Sequence, residues 1–243
     1  MENQLPDYTN VIQIEDADMS RKFIANVFMW MFVALGISAA CAYTFASTPS
    51  LFHSLFDPIT GQPSILFYIA LFAPLVFVLL IRFGLNRMSY GILTLLFIAY
   101  SAATGISLSF ILLYYTASSV LGVFLTSSVV FGIMAVAGYT TKTDLTKFGS
   151  LMIMLLIGII VASLINMLPF IHSTGLSMLI SYIGVAVFVG LTAYDVQKLK
   201  RIGAGLEYGD ASAKKMALMG GLTLYLDFIN LFLFLLRIFG RRR

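Results

Sequence analysis

The sequence predicts an all-α, polytopic membrane protein, and three observations predict it. Of 243 residues, 60% are hydrophobic and only 11% are charged. A soluble domain carries roughly 25% charged residues, so this chain lacks the polar groups to cover a water-facing surface. The apolar residues fall in long continuous runs, each near the about 20 residues that a spanning helix needs, and not in the short alternating segments of a membrane barrel. The connections are short and hold helix breakers, such as Asp57-Pro58 and Gly61-Gln62-Pro63.

Seven helices follow in order. The first 20 residues carry Glu2, Asp7, Glu15, Asp16 and Asp18 with no Lys or Arg, and form a polar, acidic tail. A signal peptide needs a basic start before its apolar stretch, so the first membrane helix, 23–46, is expected to direct insertion itself. The second helix, 64–83, begins after the Gly61-Gln62-Pro63 break and contains Pro74. The third covers 89–114 and the fourth 118–139. The fifth, 148–168, stops at Pro169. The sixth covers 176–196 and the seventh 216–239. No internal repeat is visible, so residues 21–243 read as one transmembrane domain. The single cysteine, Cys41, permits no disulfide within one chain.

Loop charge sets the expected orientation. Arg21 and Lys22 precede the first helix, Arg82 and Arg87 lie between the second and third, and Lys142 and Lys147 between the fourth and fifth. Lys198, Lys200, Arg201, Lys214 and Lys215 lie between the sixth and seventh, and the other three loops hold no Lys or Arg. Positive loops stay in the cytoplasm, which puts the N-terminus there. The net charge of +4 thus reports topology and headgroup contact, not nucleic-acid binding. Seven crossings carry Arg237 and Arg241-Arg242-Arg243 to the opposite side against this rule, so a re-entrant last segment is the alternative.

Of eleven acidic residues, two fall inside expected spans: Asp195 near the cytoplasmic end of the sixth helix, and Asp227 near the middle of the seventh. A charge at a helix centre costs roughly 2.5–3.5 kcal/mol on insertion scales, so such residues face a partner or a water-filled cavity. Asn230 shares the Asp227 face, three residues on, whereas Tyr194 points away from Asp195. Two carboxylates brought together cannot both ionise cheaply and can hold a shared proton. Doubly ionised, they offer oxygen ligands to a hard cation such as Ca²⁺, so proton and Ca²⁺ would compete. Simpler roles stand beside this one. Asp195 could pair with Lys198 or Lys200 at the interface, and Asp227 could bond a neighbouring helix as polar glue. At about 1.5 Å per residue, Asp227 looks the deeper, so the two meet only if the last helix tilts or starts deeper.

The remaining features point less sharply. Arg82 and Arg87 either set topology or serve as counter-ions to the carboxylates. His53 and His172 fall in outer loops, far apart in sequence, and do not suggest a metal site. Cys41 and the run Ser101-Ala102-Ala103-Thr104-Gly105-Ile106-Ser107 read as close packing, and the methionines as apolar filler. No Walker loop, zinc spacing, His-Glu-x-x-His or Gly-x-Ser-x-Gly occurs.

The segment Leu224-Tyr225-Leu226-Asp227-Phe228-Ile229-Asn230-Leu231-Phe232, continuing to Leu235-Leu236-Arg237-Ile238-Phe239-Gly240, resembles the C-terminal signature of the Bax inhibitor-1 family. Tyr194-Asp195 before Gln197 and Lys198 is similar to its sixth-helix motif. Met88-Ser89-Tyr90-Gly91 and Thr104-Gly105-Ile106-Ser107 resemble its third-helix region. The resemblance covers nearly the whole chain after the tail and suits a bacterial member in the inner membrane. It implies a seven-helix fold with the last helix central, and a pH-dependent Ca²⁺ leak. It implies a di-aspartyl proton sensor at Asp195 and Asp227, also the place for Ca²⁺, and no obligatory cofactor. A latch arginine after the second helix maps onto Arg87, counting back from Gly105, with Arg82 as the second choice. Ionised carboxylates would hold the latch and protonation would loosen it. Some bacterial relatives partner membrane proteases, a role not readable from these residues.

A channel or leak in the bilayer, taking Ca²⁺ and protons, is thus the leading expectation, and the protein is expected not to be an enzyme. A non-conducting regulator of a protease or stress pathway is the alternative. Intramembrane aspartyl proteases also pair Tyr-Asp with an Asp on the next helix, and a shared proton suits water activation. They carry Gly-x-Gly-Asp at the second site, where this chain has Leu224-Tyr225-Leu226-Asp227, and a Pro-Ala-Leu stretch that is missing here. A secondary transporter would show inverted repeats or broken helix pairs, and neither is visible.

Overall fold

The computed structural model describes residues 9–55, 62–168, 170, 173–206 and 211–243. Within them the chain forms eight helices: α1 (Thr9–Ser47), the short α2 (Pro49–His53), α3 (Ile65–Gly84), α4 (Tyr90–Tyr114), α5 (Ala117–Thr140), α6 (Thr146–Asn166), α7 (Thr174–Ala204) and α8 (Ala211–Phe239). All but α2 are long and apolar enough to cross a membrane. Asp57, Pro58, Gly61, Pro169 and His172 lie outside the described residues, as do Glu2 and Asp7, and nothing is described of the side chains of His53, Glu15 and Asp16.

The largest departures of the helix boundaries from the hydropathy reading are extensions. α1 starts inside the acidic segment, α7 runs eight residues past 196, and α8 begins five residues before 216. Hydropathy marks where side chains meet lipid, while a helix continues until its backbone is capped. In α7 the polar stretch from Gln197 to Arg201 stays helical because its side chains bond the α5–α6 loop; Gly205 then closes the helix.

α8 is the central element and packs against α1, α4, α5 and α7. Its Leu218, Leu222, Leu224, Tyr225, Leu231 and Leu236 are fully buried. Close approach of α1 requires glycine at 221, where a Cβ would come 2.5 Å from the Trp30 Cβ and 3.1 Å from the Val27 carbonyl. α3 packs along α4, and α6 along α7. Pro74 has no N–H to give the carbonyl of Ala70 one turn earlier. The Ser107 hydroxyl of α4 donates to that carbonyl instead, which satisfies an acceptor that lipid could not and ties α3 to α4.

The last helix traverses the whole bundle. At its start Lys215 Nζ donates to the Leu85 carbonyl in the α3–α4 turn. At its end the chain pairs with the α4–α5 connection: the Thr116 N–H donates to Arg241 O, and the Arg243 N–H to Tyr114 O, each at 3.0 Å. The Arg241 N–H also donates to Ser119 Oγ, and the Arg242 guanidinium sits 5.3 Å from the Tyr114 ring centre. These contacts lie at opposite ends of α4, so α8 runs the full length of a spanning helix, which favours a complete crossing over a re-entrant segment. The arginine tail lies at the end away from the start of α1, where Ser20 Oγ donates to Lys200 O.

Candidate functional site

Asp195 on α7 and Asp227 on α8 meet: both line one cavity, and their carboxyl groups lie close enough to interact. Asp195 lies nine residues before the end of α7, and Asp227 sixteen residues into α8. At 1.5 Å per residue this is a difference of about 10 Å, which the offset start and inclination of α8 absorb. Two carboxyls this close cannot both ionise cheaply. Asp227 is only 5% exposed, and among the described residues its Oδ2 has no hydrogen-bond partner.

Both aspartates line a cavity of about 750 Å³ bordered by α6, α7 and α8. Asn230 lies on its wall and donates through Nδ2 to Leu226 O at 2.8 Å, which leaves Oδ1 as an acceptor. Thr223 and Ser163 also line it. Tyr194 does not point away as the helical-wheel argument expects: it lines this cavity and a 290 Å³ pocket beside it, because the cavity wraps around the inner half of α7.

Of the two arginines, the structure brings Arg82 to the cavity and leaves Arg87 out. Arg82 is in the last turn of α3 and lines the cavity wall with Lys198. α3 ends at Gly84, and the Arg87 N–H closes the following turn on Gly84 O at 3.0 Å, so Arg87 lies past the helix, while both arginines are exposed. Of the two arginines considered for the latch, Arg82 and not Arg87 therefore lies at the carboxyl groups. Asp195 forms no ion pair with Lys198 or Lys200 within 4 Å among the described residues. Lys200 Nζ instead donates to Tyr139 O at 2.8 Å, and Lys198 lies 5.9 Å from the Tyr194 ring centre.

One assembly beside the site escaped the sequence reading. Gln197, two residues after Asp195 and 6% exposed, accepts from the Leu145 N–H at 2.9 Å and donates to Thr143 O at 2.8 Å. Arg201 donates to the same Gln197 oxygen and to Asp144 Oδ1 at 2.9 Å. Asp144 also accepts from the hydroxyl and N–H of Thr146. The Thr146 bonds, then the Arg201 guanidinium, hold its carboxyl well below the usual carboxylate range. Together these bonds clamp the α5–α6 loop to α7. A glutamine four residues before an arginine is the only trace of this in the sequence. Among the described residues no group of three or more His, Cys, Asp and Glu could hold a metal.

A seven-span bundle around a central helix, with a carboxylate pair buried between its last two helices, defines a class of polytopic membrane protein with an intramembrane acidic site. The model of the family described as inhibitor of apoptosis-promoting Bax1 matches residues 20–243, and the chain belongs to this Bax inhibitor-1 family. It is 45% identical over 223 residues to inner membrane protein YbhL of Escherichia coli K12, covering 91% of this chain and 92% of that protein. It is 44% identical over 225 residues to an uncharacterized protein of Borreliella burgdorferi, covering 93% and 94%. It is 39% identical over 242 residues to uncharacterized protein RP147 of Rickettsia prowazekii, covering 98% and 99%.

Proposed function

We propose that the protein is a pH-sensitive Ca²⁺ leak path of the inner membrane, with Asp195 and Asp227 as proton sensor and cation site and Arg82 as the latch. The observation that carries this reading is the contact of the two carboxyl groups inside a cavity that also holds Arg82. Doubly protonated, the pair is neutral and releases the guanidinium; with one proton or none it stays negative, draws Arg82 and Lys198 toward it and closes the inner mouth. Four carboxylate oxygens and Asn230 Oδ1 form a set of hard oxygen donors. That is short of the 6–8 ligands of a tight Ca²⁺ site, as a permeant ion requires. The outer part of the cavity is lined by Ile160, Leu164, Phe188 and Phe234, and such an apolar stretch blocks ions, so the conformation described is closed. The side holding Arg21, Lys22, Arg82, Arg87, Lys142 and Lys147 is assigned to the cytoplasm because basic loops are retained there. No catalytic step and no resident cofactor is invoked.

The test is Ca²⁺ flux into liposomes holding purified protein, measured at about pH 6 and about pH 8, since paired carboxyls bind a proton more readily than isolated ones. Native protein should pass more Ca²⁺ at the acid end. Asp195→Asn or Asp227→Asn should flatten the profile, Arg82→Gln should raise flux at the alkaline end, and Arg87→Gln should leave the profile unchanged. No flux at any pH would sink the leak reading and leave a regulator of a membrane protease or stress pathway in its place.

A further inference from the structure

The central helix should be covered on every side, and one stripe of it is not. Met216, Met219, Thr223, Leu226, Asn230 and Phe234 recur every three or four residues along α8 and face the cavity. Eighteen residues at 1.5 Å each make this stripe about 27 Å long, close to the about 30 Å of a bilayer's hydrocarbon. α6 forms the facing wall through Ile153, Leu156, Ile160 and Leu164, yet it packs along α7 and stands off α8. Ile160 and Leu164 are 51% and 60% exposed, so the groove opens sideways into lipid. Its two ends differ. The outer end is hydrocarbon, with Phe188 and Phe234; toward the inner end lie two carboxylates and two cations, Asp195, Asp227, Arg82 and Lys198. The unpartnered Asp227 Oδ2 lies in a residue that is 95% buried within this wall, the complement of its 5% exposure.

We propose that this groove is a binding site for an aminophospholipid of the N-terminal-side leaflet, one acyl chain lying along α8 and the headgroup among the four charges. The chemistry of the groove selects the class. A saturated chain needs a long, narrow, apolar channel open to the bilayer, and the 750 Å³ cavity supplies one. A primary ammonium supplies the donors that the Asp195–Asp227 pair lacks, and a phosphodiester matches Arg82 and Lys198, since guanidinium and ammonium groups bind phosphate oxygens through charge-assisted hydrogen bonds. A purely anionic lipid leaves the carboxylates facing its charge, and a simple alkyl amine leaves the two cations unmatched. Such a lipid would fill the apolar half of the leak path and occupy the oxygens offered to Ca²⁺. The inference rests on the carboxylate pair being a cation site, but not on the protein conducting Ca²⁺.

Native mass spectrometry of the purified full chain tests it, with phosphatidylethanolamine, phosphatidylglycerol and N-acetylated phosphatidylethanolamine of identical chains added in equal amounts. The unmodified amine lipid should be retained about tenfold over either of the others, the scale of a charge-assisted hydrogen bond. The Asp195→Asn/Asp227→Asn double variant should lose that preference, and Ile160→Trp, which fills the groove at an exposed position, should lose bound lipid altogether. Equal retention of the free and acetylated amines by native protein overturns the proposal, and this arm needs no variant to fold. Preference surviving in the double variant overturns it too. Because lipid mass is read and not flux, failure here leaves the leak reading standing, and failure of the leak reading leaves this one standing.

Discussion

Replacing Asp227 by Asn should make the protein more stable while removing its response to pH. The carboxyl's close partner is another carboxyl, to which the asparagine amide can donate, and its second oxygen makes no hydrogen bond among the described residues, so the substitution forfeits little. It removes an ionisable group from the middle of a span, where a charge costs roughly 2.5–3.5 kcal/mol; the cavity and Asn230 relieve part of that, leaving a gain of about 2 kcal/mol. At about 2–4 °C per kcal/mol for a chain of this size, the unfolding midpoint should rise by roughly 4–8 °C. The assay is thermal unfolding in mild detergent, followed by intrinsic fluorescence or by loss of the monodisperse species, with Asp227→Leu as a second variant. A polar-glue role predicts the opposite sign, because an interhelical hydrogen bond would be lost. A fall of several degrees in both variants would refute the reasoning and return Asp227 to a structural role.

Three further outcomes follow from the inner and outer ends of the bundle. Gln197→Met should cost about 1–2 kcal/mol, since the Leu145 N–H and Thr143 O each lose a bond in a loop that water reaches, at a net value of about 0.5–1.5 kcal/mol per bond; hydrogen exchange should locate the loss in residues 141–146, and unchanged protection there would contradict the clamp. Asp144 stabilises the folded state through a carboxyl held below its ordinary range, so its contribution is present above about pH 4 and disappears as acidity drives the pH down through the depressed value; Asp144→Asn should therefore narrow the stability gap between neutral and acid pH measured for the native chain. Cysteine placed at Lys142 and at Arg243 in a Cys41→Ser background should react with an impermeant maleimide from opposite sides of a sealed vesicle, whereas labelling from one side would reinstate the re-entrant last segment.

Much of this was legible because the bilayer is a demanding solvent. Long apolar runs can only be helices there, so seven spans follow from hydropathy, and two carboxylates in such runs stand out at once. What was not legible depended on relative placement. Whether Asp195 and Asp227 meet turns on the offset of α8 against α7, and hydropathy misjudged both helix ends because the polar residues near them are bonded to loops. The end of α3 at Gly84 lies within one residue of the hydropathy reading, but which arginine near it borders the carboxyl groups depends on how α3 packs, and there Arg82 lines the cavity. Gln197 entered only as part of the sixth-helix motif, because a glutamine beside lysines looks like solvated surface until its burial is known.

Two polar side chains on α8, two residues apart, show how satisfaction separates structure from function. Residues two apart on a helix point to nearly opposite sides: Asp227 toward the groove, Tyr225 toward α1 and α4. Tyr225 is fully buried, and its hydroxyl lies 2.7 Å from Ser38 Oγ. Ser38 donates its own proton to Ser101 O at 2.7 Å, so Tyr225 is the donor in the pair and its requirement is met. The Tyr100 ring stands edge-on, 5.6 Å between centroids. A satisfied buried network fixes one packing of three helices, and nothing in it awaits a ligand. Tyr225→Phe should therefore lower stability by about 1 kcal/mol, the net value of one such bond, and leave the pH profile of flux unchanged. Asp227→Asn should do the reverse on both counts. If the two variants shift stability in the same direction, the contrast between a satisfied and an unsatisfied polar group on this helix does not mark its working face.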